Sequence, residues 1–192
     1  MSITGIILAG GKSRRMGGVD KGLIDFLGKP MVAHVLQRLT PQVDEIFINA
    51  NREPERYAVF GQPVVQDDIA DFAGPLAGLH KGMHVATHPY VLMVPCDSPL
   101  LPMNLVRRLM RGLVERDADL AVAKTGTQAH PVFCLCRKSL LPDLEQFLDS
   151  GGRKIDAWYS RLNVAEIPFN DNPQAFANIN TPDELLGLEQ AA

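Results

Sequence analysis

Short apolar segments alternate with helical stripes along almost the whole chain, and this alternation limits the fold more than any other feature. Apolar, β-branched segments predict buried strands, and apolar residues at helical spacing predict helices between them. The predicted strands are Ile3–Leu8, Glu45–Ala50, Val64–Val65, Tyr90–Val94, Asp119–Ala123 and Pro131–Leu135. Helices are predicted from Pro30, from Pro54, over Leu76–Ala86, along Leu105–Leu113, and between and after the last strands. The pattern favours a three-layer α/β/α, Rossmann-like fold with a mostly parallel sheet.

Composition and charge indicate one cytoplasmic domain. With 192 residues, 46% of them hydrophobic, the chain can bury a full core, and we predict a single domain over residues 1–192. A net charge of −3 argues against a broad surface for nucleic acid or membrane. The apolar run at the N terminus is far shorter than the ~20 residues of a membrane span. Three cysteines are too few for a disulfide framework, so we expect the reducing cytoplasm. No obvious apolar stripe remains unassigned, and we expect a monomer.

Polar residues or glycines stand at the ends of four predicted strands. They are Gly10 and Gly11 after the first strand, Asn49 and Asn51 at the second, Asp67 and Asp68 after the third, and Asp97 after the fourth. In open α/β sheets, ligands bind beyond the carboxyl ends of the strands. If these strands are parallel neighbours, the four groups share one edge of the sheet, which predicts a single binding site there.

The stretch GIILAGGKSRRMGGVDK, residues 5–21, combines a glycine pair with a cluster of basic side chains. It is not a P-loop, because Gly11 stands where that motif requires its lysine, and no G-x-G-x-x-G is present. Glycines at a strand end let the backbone approach a base or a phosphate closely. The basic residues are Lys12, Arg14, Arg15 and Lys21. They can neutralise a triphosphate, with Lys21 and Arg15 as the main candidates, although a solvated basic loop is the alternative.

The residues from Leu8 to Lys21 resemble the LAGG-x-S-x-RMG-x-x-K signature of nucleotidyltransferases, with three residues instead of two between Gly17 and Lys21, and the best match is the molybdenum cofactor guanylyltransferase family. The resemblance continues in order through Gly28-Lys-Pro30, Asn49-Ala-Asn51, Asp67, Gly74-Pro-Leu-Ala-Gly78, Pro95-Cys-Asp97, His130-Pro131 and Asn178-Ile-Asn-Thr-Pro182. It covers nearly the whole chain, and only the stretch from Ser150 to Phe169 matches less distinctly. Related cytidylyltransferases typically read LAAG where this chain reads LAGG.

The resemblance implies a nucleotidyltransferase fold and the transfer of GMP from GTP to the phosphate of molybdopterin carrying molybdenum, with release of pyrophosphate. The N-terminal part would bind GTP and Mg²⁺, and the C-terminal part would bind the acceptor. By position, the nucleotide contacts fall on Leu8, Ala9, Gly10, Lys21, Asn49, Asp67 and Asp97, and we assign Gly11 to the same group. Arg15, Lys21 and Asp97 are the expected catalytic residues. Molybdoenzyme apoproteins and cofactor-insertion chaperones are the expected protein partners.

The proposed chemistry requires charge stabilisation more than a strong base. A phosphate monoester has a second pKa of about 6, so the attacking group is already anionic near neutral pH. We therefore expect direct in-line attack on the α-phosphorus, assisted by positioning and by cations. Asp97 suits Mg²⁺, which takes one or two carboxylates besides phosphate oxygens and water. Asn180 is either a second metal ligand or a helix cap.

Contacts to the base and to the acceptor are less well defined by the sequence. Backbone carbonyls near Leu8 and the amide of Asn49 could read guanine, and Asp67 could bind the ribose, although Asp and Asn are also common in turns after strands. The candidate acceptor-binding residues are His130, Arg153, Asn178 and Asn180. For His130 the alternative is an ordinary loop turn, and for Arg153 it is a solvated helix start.

Two further groups of residues are candidate metal ligands. His80, His84 and His88 recur every four residues, but Pro89 disfavours helix at His88 and no HExxH glutamate is present. A solvated helix face is therefore the favoured interpretation of the histidines. The cysteines lack CxxC spacing and are expected to be buried small hydrophobic residues, and Trp158 is expected in the core.

Two other functions remain open from the sequence. One is a different nucleotidyltransferase, acting with CTP on the same cofactor or on a sugar phosphate, which nucleotide preference would distinguish. The other is a non-catalytic nucleotide-binding chaperone that delivers the cofactor, which would release no pyrophosphate.

Overall fold

The computed structural model describes residues 1–9, 20–69, 74–177, 179 and 181–191. The strands are β1 Ile3–Ala9, β2 Asp25–Phe26, β3 Lys29–Pro30, β4 Glu45–Ala50, β5 Val64–Val65, β6 Tyr90–Pro95, β7 Leu120–Thr125, β8 Gln128–Arg137 and β9 Val164–Pro168. The α-helices are α1 Met31–Leu39, α2 Pro54–Ala58, α3 Pro75–Val85, α4 Leu105–Glu115, α5 Leu141–Asp149, α6 Ile155–Tyr159 and α7 Pro182–Ala191. No helix in these described ranges is long and apolar enough to span a membrane.

Seven strands form one sheet in the order β5-β4-β1-β6-β8-β7-β9, and β2 pairs with β3 in a separate hairpin. Within the seven-stranded sheet β8 runs antiparallel to both of its neighbours, β6 and β7, whereas every other pairing is parallel. The mostly parallel sheet predicted from the alternation is therefore confirmed. The antiparallel β8, the hairpin and β9 were not anticipated, and β9 falls in the stretch where the family resemblance is least distinct.

The two faces of the sheet follow from the alternation of side chains along each strand. In β1, Ile3 and Ile7 belong to one hydrophobic cluster and Ile6 to the other. In β6 the same alternation separates Leu92 from Met93. Helices α1 and α4 cover the first face, and α3, α5 and α6 cover the second, which confirms the three-layer architecture.

Side chains that the sequence suggested as core residues are buried in the second cluster. Cys134, Cys136 and Trp158 are all inaccessible there, and the indole of Trp158 donates a hydrogen bond to Asp143 at 2.8 Å. The cysteines are free thiols. They act as small hydrophobic residues, as predicted.

The C-terminal segment returns to the N-terminal part of the chain. Ile179 packs against Phe26 and Met31 in a third, small cluster. In addition, the backbone amide of Leu27 donates to the carboxylate of Glu189 at 2.9 Å. These contacts place α7 beside the β2–β3 hairpin.

Close packing of α3 on β1 makes Gly82 sensitive to substitution. An added Cβ at Gly82 would lie 3.1 Å from both Cβ and Cγ2 of Ile6, atoms that cannot move without moving the strand. We predict that Gly82→Ala lowers the free energy of unfolding by about 1–2 kcal/mol, because overpacking outweighs the gain in helix propensity. Denaturant unfolding measures this change.

Gly187 in α7 provides the matched control, because a Cβ there meets nothing within 4 Å. Gly187→Ala should raise the free energy of unfolding by about 0.5–1 kcal/mol through helix propensity alone. Stabilisation by both substitutions would show that α3 and β1 are packed less closely than described.

Candidate active site

The parallel strands bring the predicted site residues to one edge of the sheet. Leu8 of β1 lies opposite Asn49 in β4 and opposite Pro95 in β6. The amide of Cys96 donates to the carbonyl of Leu8 at 2.9 Å, which continues the β1–β6 ladder to the last residue before Asp97. Asp97 therefore lies beside the end of β1, where the sequence predicted it.

Lys21 and Asp97 form an ion pair at this edge. The Nζ of Lys21 lies 3.3 Å from Oδ2 of Asp97, and the side chains are 22% and 14% exposed, respectively. The two residues are 76 positions apart in the chain, and only the meeting of the strand ends brings them together. The pair therefore offers a cation and a carboxylate that a ligand at the strand ends can reach.

A short 3₁₀ turn, Lys21–Leu23, sets the position of Lys21. Asp20 caps this turn, and its Oδ1 accepts hydrogen bonds from the amide of Gly22 at 3.3 Å and from the hydroxyl of Tyr57 at 2.5 Å. A Cβ on Gly22 would come within 2.7 Å of the Tyr57 oxygen and 2.9 Å of the Cys96 sulfur. The turn that carries Lys21 is thus packed directly against the neighbour of Asp97.

Burial fixes the protonation of the two groups behind this turn. The pKa of Tyr57 is raised strongly by burial, and the nearby Cys96 and Asp20 add to the effect, so the phenol remains a hydrogen-bond donor. Burial also raises the pKa of the Cys96 thiol, with further contributions from the carboxylates of Asp97 and Asp20. Cys96 is therefore a neutral, buried thiol rather than a reactive thiolate.

The carboxylates around Cys96 match the chemistry of a hard divalent cation. Asp97 presents a partly accessible carboxylate at the strand end, and Asp20 holds a second carboxylate close to Cys96. Oδ2 of Asp20 is buried and has no hydrogen-bond partner among the described residues. Carboxylate oxygens are the donors that Mg²⁺ prefers in proteins. The residues present therefore fit a Mg²⁺ ion on Asp97.

Asn49, Asn51 and Asp67 form a compact hydrogen-bonded group at the ends of β4 and β5. The amide groups of Asn49 and Asn51 donate to the two carboxylate oxygens of Asp67 at 2.9 and 2.7 Å. The backbone amide of Asp67 donates in turn to the side-chain oxygen of Asn51 at 2.7 Å. Asn49 is also held from α3, because a Cβ on Gly78 would lie 2.7 Å from its Oδ1. Asn49 therefore presents a fixed side chain at the site edge.

The hydrogen bonds that Asn49 and Leu8 already make restrict how these residues can contact a nucleotide. The Nδ2 of Asn49 is already engaged by Asp67, and the carbonyl of Leu8 already accepts from Cys96. Readout of a base by these two groups would therefore use the second lone pair of the Leu8 carbonyl and the second amide proton or the oxygen of Asn49. Beside this group, Lys81 pairs with Asp68 at 2.6 Å, and this hydrogen bond lowers the pKa of Asp68.

The candidate acceptor residues lie in the C-terminal half. His130 at the start of β8 is buried, its Nε2 lies 2.7 Å from the hydroxyl of Thr125, and its ring stacks on Phe176 at 4.9 Å. Burial lowers the pKa of His130. Arg153 donates to the carbonyls of Leu148 and Gly152 at 2.9 and 2.6 Å, after the end of α5. His130 is thus part of an aromatic cluster, and Arg153 hydrogen-bonds the backbone around the end of α5.

Several predicted site residues lie outside the described part of the chain. They are Gly10, Gly11, Lys12, Arg14, Arg15, Asn178 and Asn180. Of the remaining candidates, the structure brings Leu8, Ala9, Asn49 and Asp97 to adjacent strand ends, with Lys21 and Asp67 hydrogen-bonded to them.

Sequence reasoning missed the support behind the site. Asp20, Tyr57, Gly22 and Gly78 were given no role. A signal was available for Asp20, because an acidic residue directly before Lys21 is a typical cap for a short turn. Nothing in the local sequence links Asp20 to Tyr57, which is 37 residues away.

Solved structures of other proteins share the fold of this chain. Molybdopterin-guanine dinucleotide biosynthesis protein A from Archaeoglobus fulgidus aligns with a TM-score of 0.80 and 23% identity, over 98% of this chain and 97% of that one. A nucleotidyl transferase from Methanothermobacter thermautotroptrophicus aligns with a TM-score of 0.76 and 21% identity, over 99% of this chain and 97% of that one. This chain therefore shares its fold with these two proteins.

Sequence comparison identifies the family. Residues 5–164 match the family model of the MobA-like NTP transferase domain. The molybdenum cofactor guanylyltransferase of Shewanella sediminis is 47% identical over 191 residues, which cover 100% of this chain and 97% of that protein. The chain therefore belongs to the molybdenum cofactor guanylyltransferase family of MobA-like NTP transferases, and it is an enzyme of the nucleotidyltransferase class.

We predict that Tyr57→Phe destabilises the protein by about 1.5–3 kcal/mol, because the buried Asp20 carboxylate loses a hydrogen-bond donor. The phenyl ring still fills its place in the core, so the overall fold should persist. Denaturant unfolding at neutral pH measures the loss.

Tyr159→Phe is the matched control, because the Tyr159 hydroxyl donates to a neutral acceptor, the carbonyl of Pro131, at 2.7 Å. Its loss should cost only about 0.5–1.5 kcal/mol. Equal costs for the two substitutions would contradict a charge-assisted bond between Tyr57 and Asp20.

Proposed function

We propose that this enzyme transfers GMP from GTP to the phosphate of molybdopterin carrying molybdenum, giving the guanine dinucleotide form of the cofactor and pyrophosphate. Two observations support the proposal: the full-length relationship to a protein named molybdenum cofactor guanylyltransferase, and the site geometry. The single structural observation that carries it is the pair of Lys21 and Asp97 at the shared end of β1 and β6.

The pair suits a reaction between two polyanions. An acceptor phosphate must approach a triphosphate, and negative charge must leave on pyrophosphate, so the barrier is mainly electrostatic. Lys21 supplies a compact, fixed positive charge for the triphosphate. No described residue needs to act as a strong base, since the acceptor phosphate is already anionic near neutral pH.

Asp97 would hold Mg²⁺, and the ion, when bound, would supply neutralisation of the triphosphate charge. Lys21 and Asp97 together carry no net charge. When the substrate binds, Lys21 can pair with a phosphate oxygen and Asp97 with a divalent cation. Neither partly buried charge is then left uncompensated. The ion pair between Lys21 and Asp97 is then the ligand-free arrangement, and on binding each residue exchanges its partner for a group of the substrate complex.

The group around Asn49 supports discrimination of the base. Its side chain is held by Asp67 on one side and by Gly78 on the other, so it presents a defined pattern of donors and acceptors. Guanine offers two donors and an acceptor along one edge, and a pyrimidine would leave their protein partners unpaired. Unpaired buried polar groups are an effective basis for rejecting an analogue. We therefore propose Leu8, Ala9, Asn49 and Asp67, together with Gly10 and Gly11, as the guanosine-binding residues.

The acceptor and the cellular context form the finer part of the proposal. We assign His130, Arg153, Asn178 and Asn180 to the side of the molecule that receives molybdopterin, and Arg15 joins Lys21 and Asp97 as a catalytic residue. Because β8 is antiparallel to β6, its first residues lie at the same edge of the sheet as the end of β6. This topology supports His130 as a neighbour of the site. We further propose a cytoplasmic monomer that delivers its product to cofactor-insertion chaperones and molybdoenzyme apoproteins.

Nucleotide preference tests the proposed function. With Mg²⁺ and molybdenum-loaded molybdopterin, we predict pyrophosphate release from GTP with a kcat/KM at least about 100-fold higher than from CTP, the discrimination expected when buried polar groups lose their partners. A coupled pyrophosphate assay measures both rates, and reactions without molybdopterin control for plain hydrolysis.

Comparable rates with GTP and CTP would remove the guanine-specific account while leaving a nucleotidyltransferase. Binding of GTP without any release of pyrophosphate, under conditions in which a curated relative turns over, would instead support a non-catalytic carrier.

A further inference from the structure

Three potential metal ligands converge between α3 and α5, on the second face of the sheet. Nε2 of His84 lies 3.1 Å from Nε2 of His80 and 3.0 Å from Oε1 of Glu145, and the third distance, from His80 to Glu145, is 3.7 Å. Among the residues that the structure describes, this is the only group of three such side chains with ligand atoms mutually within 4.8 Å.

These distances match the spacing of ligands around a tetrahedral zinc ion. With bonds of 2.0–2.2 Å to nitrogen and oxygen, two ligand atoms of a tetrahedral Zn²⁺ lie about 3.4 Å apart. The three observed separations lie on either side of that value. Two neutral imidazoles and one carboxylate also form a known zinc ligand set, which leaves a fourth position for water.

The local structure explains why these side chains meet. His80 and His84 are one turn apart on α3, so they lie on the same face of the helix. Their rings are held edge to face, with centroids 4.5 Å apart and planes at 71°, rather than stacked. Glu145 reaches them from α5, which packs beside α3. The group therefore depends on tertiary packing and not on a linear motif.

This arrangement corrects the expectation from the sequence. The expectation that Pro89 keeps His88 out of the helix is confirmed, because α3 ends at Val85. His88 lies beyond the helix, where it acts electrostatically on Glu45 at the start of β4. Glu145 takes the third position instead. A solvated face is not what the structure shows, because His80 is only 7% exposed.

We propose that His80, His84 and Glu145 bind a zinc ion that ties α3 to α5. The side chains of His84 and Glu145 are each 41% exposed, so the ion can enter from solvent and keep water as its fourth ligand. None of the three ligands belongs to the residues proposed to bind the nucleotide, and after His84 the chain continues to Thr87, which donates to Glu45 at the start of β4.

The charges of the group favour a cation over a proton as the bridging species. Burial, together with the neighbouring His84, lowers the pKa of His80, which keeps a lone pair on its imidazole at neutral pH. Metal ligands must be unprotonated, so this buried histidine is ready for a metal without loss of a proton. Of the two carboxylates that act on His80, Asp68 is paired with Lys81, which leaves Glu145 as the negative charge of the group.

The surroundings of His80 limit the zinc affinity that we expect. Nδ1 of His80 is buried and has no hydrogen-bond partner among the described residues. A hydrogen bond to the other ring nitrogen of a ligating histidine typically changes the metal affinity by about 10–100-fold. We therefore expect zinc to bind reversibly and to be removed by a chelator, unlike the metal of a fully supported structural site.

The test uses the full-length chain without a polyhistidine tag, treated with a chelator and then kept in excess Mg²⁺ to occupy the Asp97 site. Calorimetric titration with Zn²⁺ should show one ion bound per chain. In a separate thermal unfolding experiment, Zn²⁺ should raise the midpoint temperature of unfolding. His84→Asn and Glu145→Gln, both at partly exposed positions, should weaken Zn²⁺ binding by at least about 10-fold. His88→Asn should bind as the wild type does, because His88 lies outside the group.

Titration with Co²⁺ provides an independent measurement on the unaltered protein. Tetrahedral coordination of Co²⁺ by nitrogen and oxygen ligands gives intense visible absorption. This absorption should be absent in His84→Asn, and it should disappear from the wild type when Zn²⁺ displaces the Co²⁺. Wild-type affinity in both ligand variants, an equal loss in His88→Asn, or only the weak spectrum of octahedral Co²⁺ would each overturn the proposal.

Discussion

Parallel pairing of β1 with β6 is the constraint on which the rest of the site depends. The last hydrogen bond of this ladder, from the Cys96 amide to the Leu8 carbonyl, fixes the position of Asp97 relative to the end of β1. Lys21 arrives at the same point from the turn that follows β1 in the chain. Because Asp97 follows the paired end of β6 and the turn that carries Lys21 packs against Tyr57 and Cys96, their 3.3 Å contact is set by packing at the sheet edge.

A second layer of contacts keeps this arrangement rigid, and it includes unfavourable interactions. Asp20 is only 4% exposed, and one of its oxygens lacks a partner among the described residues. Burying an unsatisfied carboxylate oxygen is costly, so the short hydrogen bond from Tyr57 and the cap on Gly22 must offset much of that cost. Such concentrated polar burial is common where a protein fixes charged groups for catalysis.

Much of the fold could be predicted because strand and helix periodicities are local properties. The bounds of β4 were predicted to the residue and those of β1 and β6 to within one residue, and the predicted core of the third strand, Val64–Val65, is the whole of β5. Strand direction is different, because the alternation of side chains is the same in parallel and antiparallel strands. The reversed β8 and the hairpin that joins it to β7 therefore could not be inferred from periodicity, although Gly126 marks the turn with a φ of 54°.

The site was predictable only where a rule connects distant segments. The rule that ligands bind at the carboxyl ends of parallel strands placed Asp97 beside Leu8, and a family resemblance singled out Lys21. No such rule connects Tyr57 to Asp20 or Glu145 to His84, because these contacts arise from how helices and turns pack. The spacing of the histidines gave no indication of Glu145, which lies 61 residues from His84 in the chain.

Loss of the carboxylate charge at Asp97 tests the central claim most directly. Asp97→Asn keeps the size of the side chain, so the account predicts an intact fold and a fall of about 100-fold or more in pyrophosphate release from GTP. Asp117→Asn is the control, because Asp117 is fully exposed before β7 and has a φ of 44°, which asparagine tolerates. Full activity of Asp97→Asn, alongside an equally active control, would contradict the account.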